Sequence, residues 1–185
     1  MSEAQDLAVL LERLSRVLQN EAHAGGLKPT QWEALRYLAR ANRFSRTPSG
    51  LTAYLGMTKG TVSQTLNALE RKGLLRKRSD PADRRQLRIE LTAKGRRLLA
   101  QDPLEALRQA AAALPAAQRR GLQAGLEDLL TETLRRRDGR PFGLCRTCRF
   151  FEAKAPGGAP HRCALLEVPL SEDDSTQICV EQEPA

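Results

Sequence analysis

Residues 50–75 read GLTAYLGMTKGTVSQTLNALERKGLL, and this stretch decides the fold. Its first half spaces apolar residues as a short helix does and ends at Gly56, after helix-start chemistry at residues 47–49. Its second half opens at Thr58 and ends at Gly73, where a left-handed C-cap is needed. The apolar faces of the two helices are Leu51, Tyr54 and Leu55, then Val62, Leu66 and Leu69. The pattern predicts two helices joined by a tight turn.

After Gly73 the apolar period changes from the helical value to two. A turn at Pro81–Asp83 separates LLRKRSD from RRQLRIELT, in which Leu87, Ile89 and Leu91 alternate with charged residues. This alternation predicts a basic β-hairpin directly behind the second helix.

The flanking segments predict further helices. An apolar stripe runs from about residue 4 to 24, and Gly25 and Gly26 stop it. The next helix is expected after Pro29, with Thr30 as cap and Glu33 as its capping-box partner, and to end near Ala41. Its inward residues are Trp32, Leu35 and Leu38. Thr92 begins another helical region that continues to Leu134, and Asp102-Pro103 predicts a kink or a fresh start within it.

A helix of this kind fits the major groove of DNA, and a basic hairpin can hold the flanking backbone or enter the minor groove. The polar face of the second helix carries amides, hydroxyls and a lysine that can bond base edges or phosphates: Thr58, Lys59, Thr61, Ser63, Gln64 and Asn67. The hairpin adds cations that can bind phosphate: Arg76, Lys77, Arg78, Arg84 and Arg85. A polar or basic residue of this kind, taken alone, is more often plain solvated surface. Together these residues predict a DNA-reading face. We take all of them except Lys77 as the candidate DNA-binding residues.

Charge divides the chain into two parts. Residues 1–140 hold 26 Lys and Arg against 15 Asp and Glu, whereas residues 141–185 hold 4 against 7. A basic body suits a polyanionic partner. No stretch approaches the ~18 apolar residues of a membrane helix, and the acidic, amphipathic N-terminus does not resemble a secretory signal. The expected location is therefore the cytoplasm, and no membrane partner is expected.

From Leu27 to Gly95 the chain resembles the MarR family of winged-helix regulators, most closely in residues 50–75 and in DPADRRQLRIELTAKGRRLL at 80–99. The resemblance covers about residues 1–138. It implies a homodimer built from the first and last long helices, with two recognition helices on a pseudo-palindromic site and Arg85 as the likelier minor-groove contact than Arg84. It also implies a possible small-molecule pocket near Trp32, Tyr37 or His23, although such aromatics more often pack in a core.

Residues 139–185 are predicted to form a separate Cys-rich tail after a charged joint at 135–143. Cys145 and Cys148 form a CxxC pair, and Cys163 and Cys179 follow after gaps of 14 and 15 residues. Four thiolates suit a structural zinc ion or an iron–sulfur cluster, with near-equal support, while disulfides or idle thiols rank last in a reducing compartment. His161 can replace one cysteine as a ligand, although a loop histidine is more often a bystander. Phe150, Phe151, Leu165, Leu166 and Leu170 are predicted to pack together, and the acidic run at 171–174 to be solvated.

The predicted fold class is thus mainly α, a winged helix-turn-helix with long dimerisation helices and a small metal-binding or cluster-binding tail. The predicted function is transcription regulation by a homodimer on DNA, with tail occupancy altering the dimer geometry. The rivals are a metal or iron–sulfur interaction adaptor and a redox enzyme that does not bind specific DNA. An enzyme is disfavoured because the chain has only two histidines and no Gly-rich phosphate loop, and because hydrolytic zinc keeps an open position.

Overall fold

The computed structural model describes residues 2–21, 26–79, 86–154 and 158–185. The first part of the chain is mainly helical and contains one two-stranded hairpin. Its elements are α1 (Glu3–Glu21), α2 (Pro29–Arg40), α3 (Pro48–Leu55), α4 (Lys59–Arg71), β1 (Leu75–Ser79), β2 (Leu87–Leu91), α5 (Ala93–Leu99), α6 (Leu104–Ala113) and α7 (Ala116–Arg135). Strands β1 and β2 pair antiparallel, with Leu75 opposite Leu91 and Lys77 opposite Ile89. This is the predicted winged helix-turn-helix, and none of the described helices is long and apolar enough to cross a membrane.

One hydrophobic core joins α2, α3, α4 and the hairpin. Most of the inward residues predicted for these elements are buried: Trp32, Leu35, Leu38, Leu51, Val62, Leu66, Leu69, Ile89 and Leu91. The prediction is wrong for Tyr54 and Leu87, which are 37% and 41% exposed. Burying one such side chain contributes about 1.5–3 kcal/mol. The apolar stripe of α4 is therefore held against the core, and its opposite face must point to solvent.

Side-chain caps set the ends of the two helix-turn-helix elements as predicted. Thr47 Oγ1 accepts a hydrogen bond from the Gly50 amide at 3.0 Å and caps α3. Thr58 Oγ1 accepts from the Thr61 amide at 3.2 Å and caps α4. Gly56 ends α3 at φ +62°, a left-handed conformation that an L side chain rarely adopts.

The cap predicted for α2 is wrong. The helix begins at Pro29, so Lys28 is the N-cap and Thr30 lies inside the first turn. Proline favours the first helical position because its fixed φ suits a helix and its missing N–H would have no partner there. The side-chain oxygen of Gln31, and not that of Glu33, accepts a hydrogen bond from the Lys28 amide at 3.1 Å.

The long helices lie outside this core. Helix α1 ends at Glu21, and residues 22–24 of the predicted 4–24 helix lie outside the described residues, as does Gly25. The predicted interruption at Asp102-Pro103 is confirmed as a fresh start, since α5 ends at Leu99 and α6 begins at Leu104. Asp102 ties this junction to α2, with an oxygen 2.7 Å from the Arg36 guanidinium.

The Cys-rich tail is built from very short elements: β3 (Gly143–Leu144), a 3₁₀ turn (Cys145–Thr147), β4 (Phe151–Ala153), β5 (His161–Cys163), β6 (Val168–Leu170), α8 (Glu172–Ser175) and β7 (Ile178–Cys179). Strands β4, β5 and β6 form one antiparallel sheet, and β3 pairs with β7. Ile178 is buried in the winged-helix core and bridges Ala41 at the end of α2. The tail is therefore docked on the winged helix.

Two predictions about tail packing need correction. Leu170 is buried with Phe150 and Phe151 packed against it, but Leu165 and Leu166 are exposed at 44% and 37%. The acidic run is not wholly solvated either, because Asp174 is buried. Its carboxylate accepts hydrogen bonds from the backbone N–H and the hydroxyl of Ser171, which caps α8. These two hydrogen bonds satisfy the buried carboxylate at the start of the short helix.

Candidate nucleic-acid interface

The polar face of α4 is exposed over its whole length. Lys59, Thr61, Ser63, Gln64 and Asn67 all point away from the core, as does the capping residue Thr58. The hydroxyls of Thr58 and Thr61 lie 2.9 Å apart and share a hydrogen bond. The predicted reading residues of this helix therefore form one continuous surface, displayed on a rigid, capped element.

Lys77 joins the hairpin to this surface and is absent from the candidate set above. Its ammonium group donates a hydrogen bond to the side-chain oxygen of Asn67 and lies 3.1 Å from a carboxylate oxygen of Glu70. The hydrogen bonds from the Lys77 side chain and amide lower the pKa of the Glu70 carboxyl. The signal in the sequence was the period of two, because Lys77 alternates with its arginine neighbours and so faces α4.

Arg76 and Arg78 lie on the other face of β1. Both guanidinium groups pair with Glu90 on β2, at 3.5 and 3.2 Å. Two cations share one carboxylate, and both side chains are more than half exposed. This face of the hairpin keeps a positive charge, but it is not continuous with the reading face of α4.

The predicted wing tip lies outside the described residues, which stop at Ser79 and resume at Gln86. The roles of Arg84 and Arg85 as minor-groove contacts therefore stay predictions.

An open groove of about 470 Å³ lies where α3, α4 and the hairpin meet. Lys59, Ser63 and Lys77 line it together with the first turn of α3, which Thr47 caps. Two ammonium groups and the hydroxyls beside them can hold phosphate oxygens. The groove thus connects the polar face of α4 to the hairpin through a basic surface.

Two aromatics considered as pocket residues are in the core instead. Trp32 and Tyr37 are 0% and 1% exposed, which confirms the core interpretation. The Tyr37 hydroxyl donates to the carbonyl of Ser45 at 2.7 Å, and burial raises the pKa of the phenol. His23 lies outside the described residues.

The four cysteines come together although they belong to separate elements. Cys145, Cys163 and Cys179 are buried, Cys148 is half-buried, and all four line one small space of about 10 Å³. All are free thiols. A hydrogen bond from the Cys145 thiol lowers the pKa of Cys179 to about 6, and the same contact raises the pKa of Cys145.

A preformed metal geometry is not present: within the described ranges, no three His, Cys, Asp or Glu side chains are already arranged to hold an ion. His161 does not line the space between the sulfurs. Its Nε2 lies 3.2 Å from a Glu172 carboxylate oxygen, and its ring packs on Phe151 at a centroid distance of 4.7 Å. The tail metal site therefore stays a prediction.

Comparison with known proteins finds similarity to one family model and to curated transcriptional repressors. Residues 25–86 match the model of the MarR family. The chain is 32% identical over 99 residues to the transcriptional repressor MprA of Escherichia coli K12, covering 49% of this chain and 56% of that protein. It is 28% identical over 90 residues to the HTH-type transcriptional repressor YetL of Bacillus subtilis, with 49% and 54% covered. The chain thus spans about half the length of these relatives.

Solved structures share the fold over a longer part of the chain. A complex of S. aureus MepR with DNA matches with a TM-score of 0.58 at 24% identity, covering 68% of this chain and 96% of that one. A MarR regulator from Methanosarcina mazei Go1 matches with a TM-score of 0.58 at 23% identity, covering 71% and 96%. The MarR family model thus matches about a third of the chain, and the solved structures share its winged helix-turn-helix fold.

Proposed function

We propose that this chain is a DNA-binding transcriptional regulator of the MarR type that binds a pseudo-palindromic operator as a homodimer. The observation that carries the proposal is the exposed polar face of α4, held by a buried apolar face and continued by the basic groove at Lys59 and Lys77. A recognition helix needs this combination, because base edges are read by amides and hydroxyls while cations neutralise the flanking phosphates. MepR of S. aureus, whose fold this chain shares, has been solved in complex with DNA, which supports a DNA-binding role for this chain.

The long helices supply the surface for a second copy of the chain. Helices α1 and α7 leave large apolar side chains between 38% and 62% exposed: Leu7, Val9, Leu10, Leu14, Val17, Leu122, Leu126, Leu129 and Leu130. A soluble monomer rarely leaves so many apolar residues uncovered on two helices. A two-fold dimer covers both helices and presents two copies of α4 to the DNA.

Oligomeric state is tested by sedimentation of the full chain and of variants. Leu10→Glu and Leu130→Glu are expected to shift the protein towards monomer, because each introduces a charge into the covered surface. Leu87→Glu is the matched control, since Leu87 is 41% exposed but lies on the hairpin. A wild-type chain that sediments as a monomer would remove the two-fold arrangement.

DNA reading is tested by selecting sites from a random duplex pool and measuring affinity at several salt concentrations. Gln64→Ala is expected to weaken binding to the selected site by about 1–3 kcal/mol while changing binding to unrelated DNA little. Gln109→Ala, an exposed amide on α6, is the control and is expected to match the wild type. If no sequence is selected and Gln64→Ala changes nothing, the interaction adaptor or the redox enzyme becomes the better hypothesis.

The hairpin is tested by its salt dependence. Arg84→Ala and Arg85→Ala are each expected to reduce the slope of log affinity against log salt by about 1, because each removes one phosphate or minor-groove cation. Unchanged affinity and slope in the double variant would contradict a role for the hairpin tip in DNA binding.

Two further features of the regulator belong to the same proposal. Zinc or an iron–sulfur cluster, held by the four tail cysteines, modulates DNA binding. A small-molecule effector is a second modulator, and the core positions of Trp32 and Tyr37 mean that neither aromatic lines its pocket.

A further inference from the structure

We infer that Cys145, Cys148, Cys163 and Cys179 bind one thiophilic divalent cation, of which Zn²⁺ is the type, and that this ion clamps the tail onto the loop leading into the helix-turn-helix. The loop in question is residues 41–46, between α2 and α3. The effect on DNA binding rests on the proposed function, whereas metal binding and the clamp do not.

The convergence of the cysteines is the first support. Cys145 and Cys148 bracket the 3₁₀ turn, Cys163 ends β5 and Cys179 ends β7. Strand pairing, and not sequence proximity, brings these elements together, and every cysteine of the chain lines the same space. Four cysteine ligands without an open position are typical of a structural zinc site.

The size of the space favours one ion over a cluster. Its volume of about 10 Å³ is near that of a single water-sized sphere. Phe150, Phe151 and Leu170 also line this space and pack against the cysteines. An iron–sulfur cluster has several iron and sulfide atoms and needs more room between the sulfurs than one ion does. Each thiol releases its proton to solvent as it becomes a ligand.

Hydrogen bonds connect the cysteines to the loop. Asn42 is fully buried, and its side-chain amide nitrogen lies 3.8 Å from the Cys145 sulfur, to which it donates. The backbone N–H of Asn42 donates to the Ile178 carbonyl at 2.9 Å, next to Cys179. The Val180 amide, on the other side of Cys179, donates to the Ser45 hydroxyl at 2.9 Å. The loop thus donates directly to one sulfur and holds the residues on both sides of another, and contacts of this kind orient metal ligands. The loop therefore serves as the outer shell of the site.

The same loop positions the DNA-reading elements. The side-chain oxygen of Asn42 accepts from the amides of Phe44 and Ser45, which shapes the loop just before Thr47 caps α3. The Arg46 carbonyl accepts from the Ile89 amide of the hairpin at 2.7 Å. An ion that holds β7 in place therefore stabilises both α3 and the hairpin. The bound ion would thus act on DNA binding within one winged helix. This differs from the expectation from the sequence, in which occupancy of the tail alters the dimer geometry.

The metal is tested on the full chain. Elemental analysis is expected to give about one zinc per chain, and Co²⁺ is expected to bind with the intense visible absorption of a tetrahedral thiolate site. Cys148→Ser and Cys163→Ser are expected to weaken Co²⁺ binding and alter the spectrum. His161→Gln is the control, because His161 lies outside the space, and is expected to keep the stoichiometry and spectrum. Iron with sulfide, two disulfides, or four thiols that bind no Co²⁺ would each overturn the single-ion site.

The clamp is tested by hydrogen exchange, which does not depend on DNA binding. The amides of Asn42 and Val180 are expected to exchange at least tenfold faster after metal removal, while that of Leu66 in the core of α4 is expected to change little. Equal protection of Asn42 and Val180 with and without metal would overturn the clamp.

The consequence for DNA is tested with the selected operator at fixed salt. Metal removal is expected to weaken binding by a factor within the usual range of coupled sites, about 5- to 150-fold, and Zn²⁺ is expected to restore it. Equal affinity of the two forms would overturn the regulatory inference alone. Failure of both forms to prefer any sequence would overturn the proposed function and leave the metal test to decide the site.

Discussion

Replacing Asp102 by asparagine is expected to lower the free energy of unfolding by about 2 kcal/mol. The carboxylate accepts from Arg36 at 2.7, 2.9 and 3.1 Å, which is a forked, charge-assisted contact between α2 and the α5–α6 junction. One of its oxygens also accepts from the Leu104 amide at 2.9 Å, at the start of α6. Asparagine keeps the shape but loses the charge and one acceptor.

The magnitude follows from the burial of the pair. The side chains of Arg36 and Asp102 are 21% and 11% exposed, so the pair lies between two known limits. Exposed ion pairs contribute about 0–1 kcal/mol, and breaking a buried pair costs about 3–5 kcal/mol. Because asparagine can still accept one hydrogen bond, the lower middle of this range is expected.

Urea unfolding at pH 7 and one fixed protein concentration measures the effect, since dimerisation would otherwise change the apparent stability. Asp128→Asn is the matched control, because Asp128 is exposed on α7, and a change within about 0.5 kcal/mol is expected. A double-mutant cycle with Arg36→Gln isolates the contact. If Asp102→Asn costs no more than Asp128→Asn, the pair does not hold the junction and the reasoning is refuted.

Three further outcomes are expected. Gly95→Ala places a Cβ 2.1 Å from the Leu74 carbonyl oxygen, so thermal unfolding should show a loss of about 1–3 kcal/mol, whereas Gly60→Ala meets nothing closer than 3.9 Å and should lose nothing. Thr58→Ala removes the cap of α4 and should cost about 1 kcal/mol in urea unfolding, with Thr58→Ser retaining most of the stability; equal losses for both would contradict the capping role. Burial raises the pKa of Asp102, but hydrogen bonds from Arg36 and the Leu104 amide outweigh it and lower the pKa below 3.8. That stabilisation is present above pH 3.8 and is lost as the pH falls through the folded-state pKa. The stability gap between wild type and Asp102→Asn should therefore close as the pH is lowered below 3.8, and a constant gap would contradict this reasoning.

Local patterns predicted the winged helix well. The helices α3 and α4, their caps and the break at Asp102-Pro103 depend on spacing and on residues adjacent in the chain, so the sequence carries their full signal. The error at α2 has a local cause, because Pro29 is a stronger signal for the start of a helix than Thr30.

The tail resisted prediction because its structure is non-local. Strands of two or three residues have no measurable period, and the burial of Asp174 depends on a cap and on Arg43, 3.7 Å away and far along the chain. The exposure of Leu165 and Leu166 likewise depends on how the short tail elements pack together, which no local pattern shows.

The sequence by itself determined the winged-helix class, the reading face of α4 and the four thiols, because periodicity, capping and composition are properties of neighbouring residues. The period of two in β1 separates Lys77 from its arginine neighbours, but only the tertiary structure decided which of the two faces contacts Glu70 and which contacts Glu90. Only the tertiary structure decided, too, that the cysteines converge beside Asn42 and Ser45. Contacts between residues a hundred or more positions apart are set by packing of the whole chain, and no local pattern encodes them.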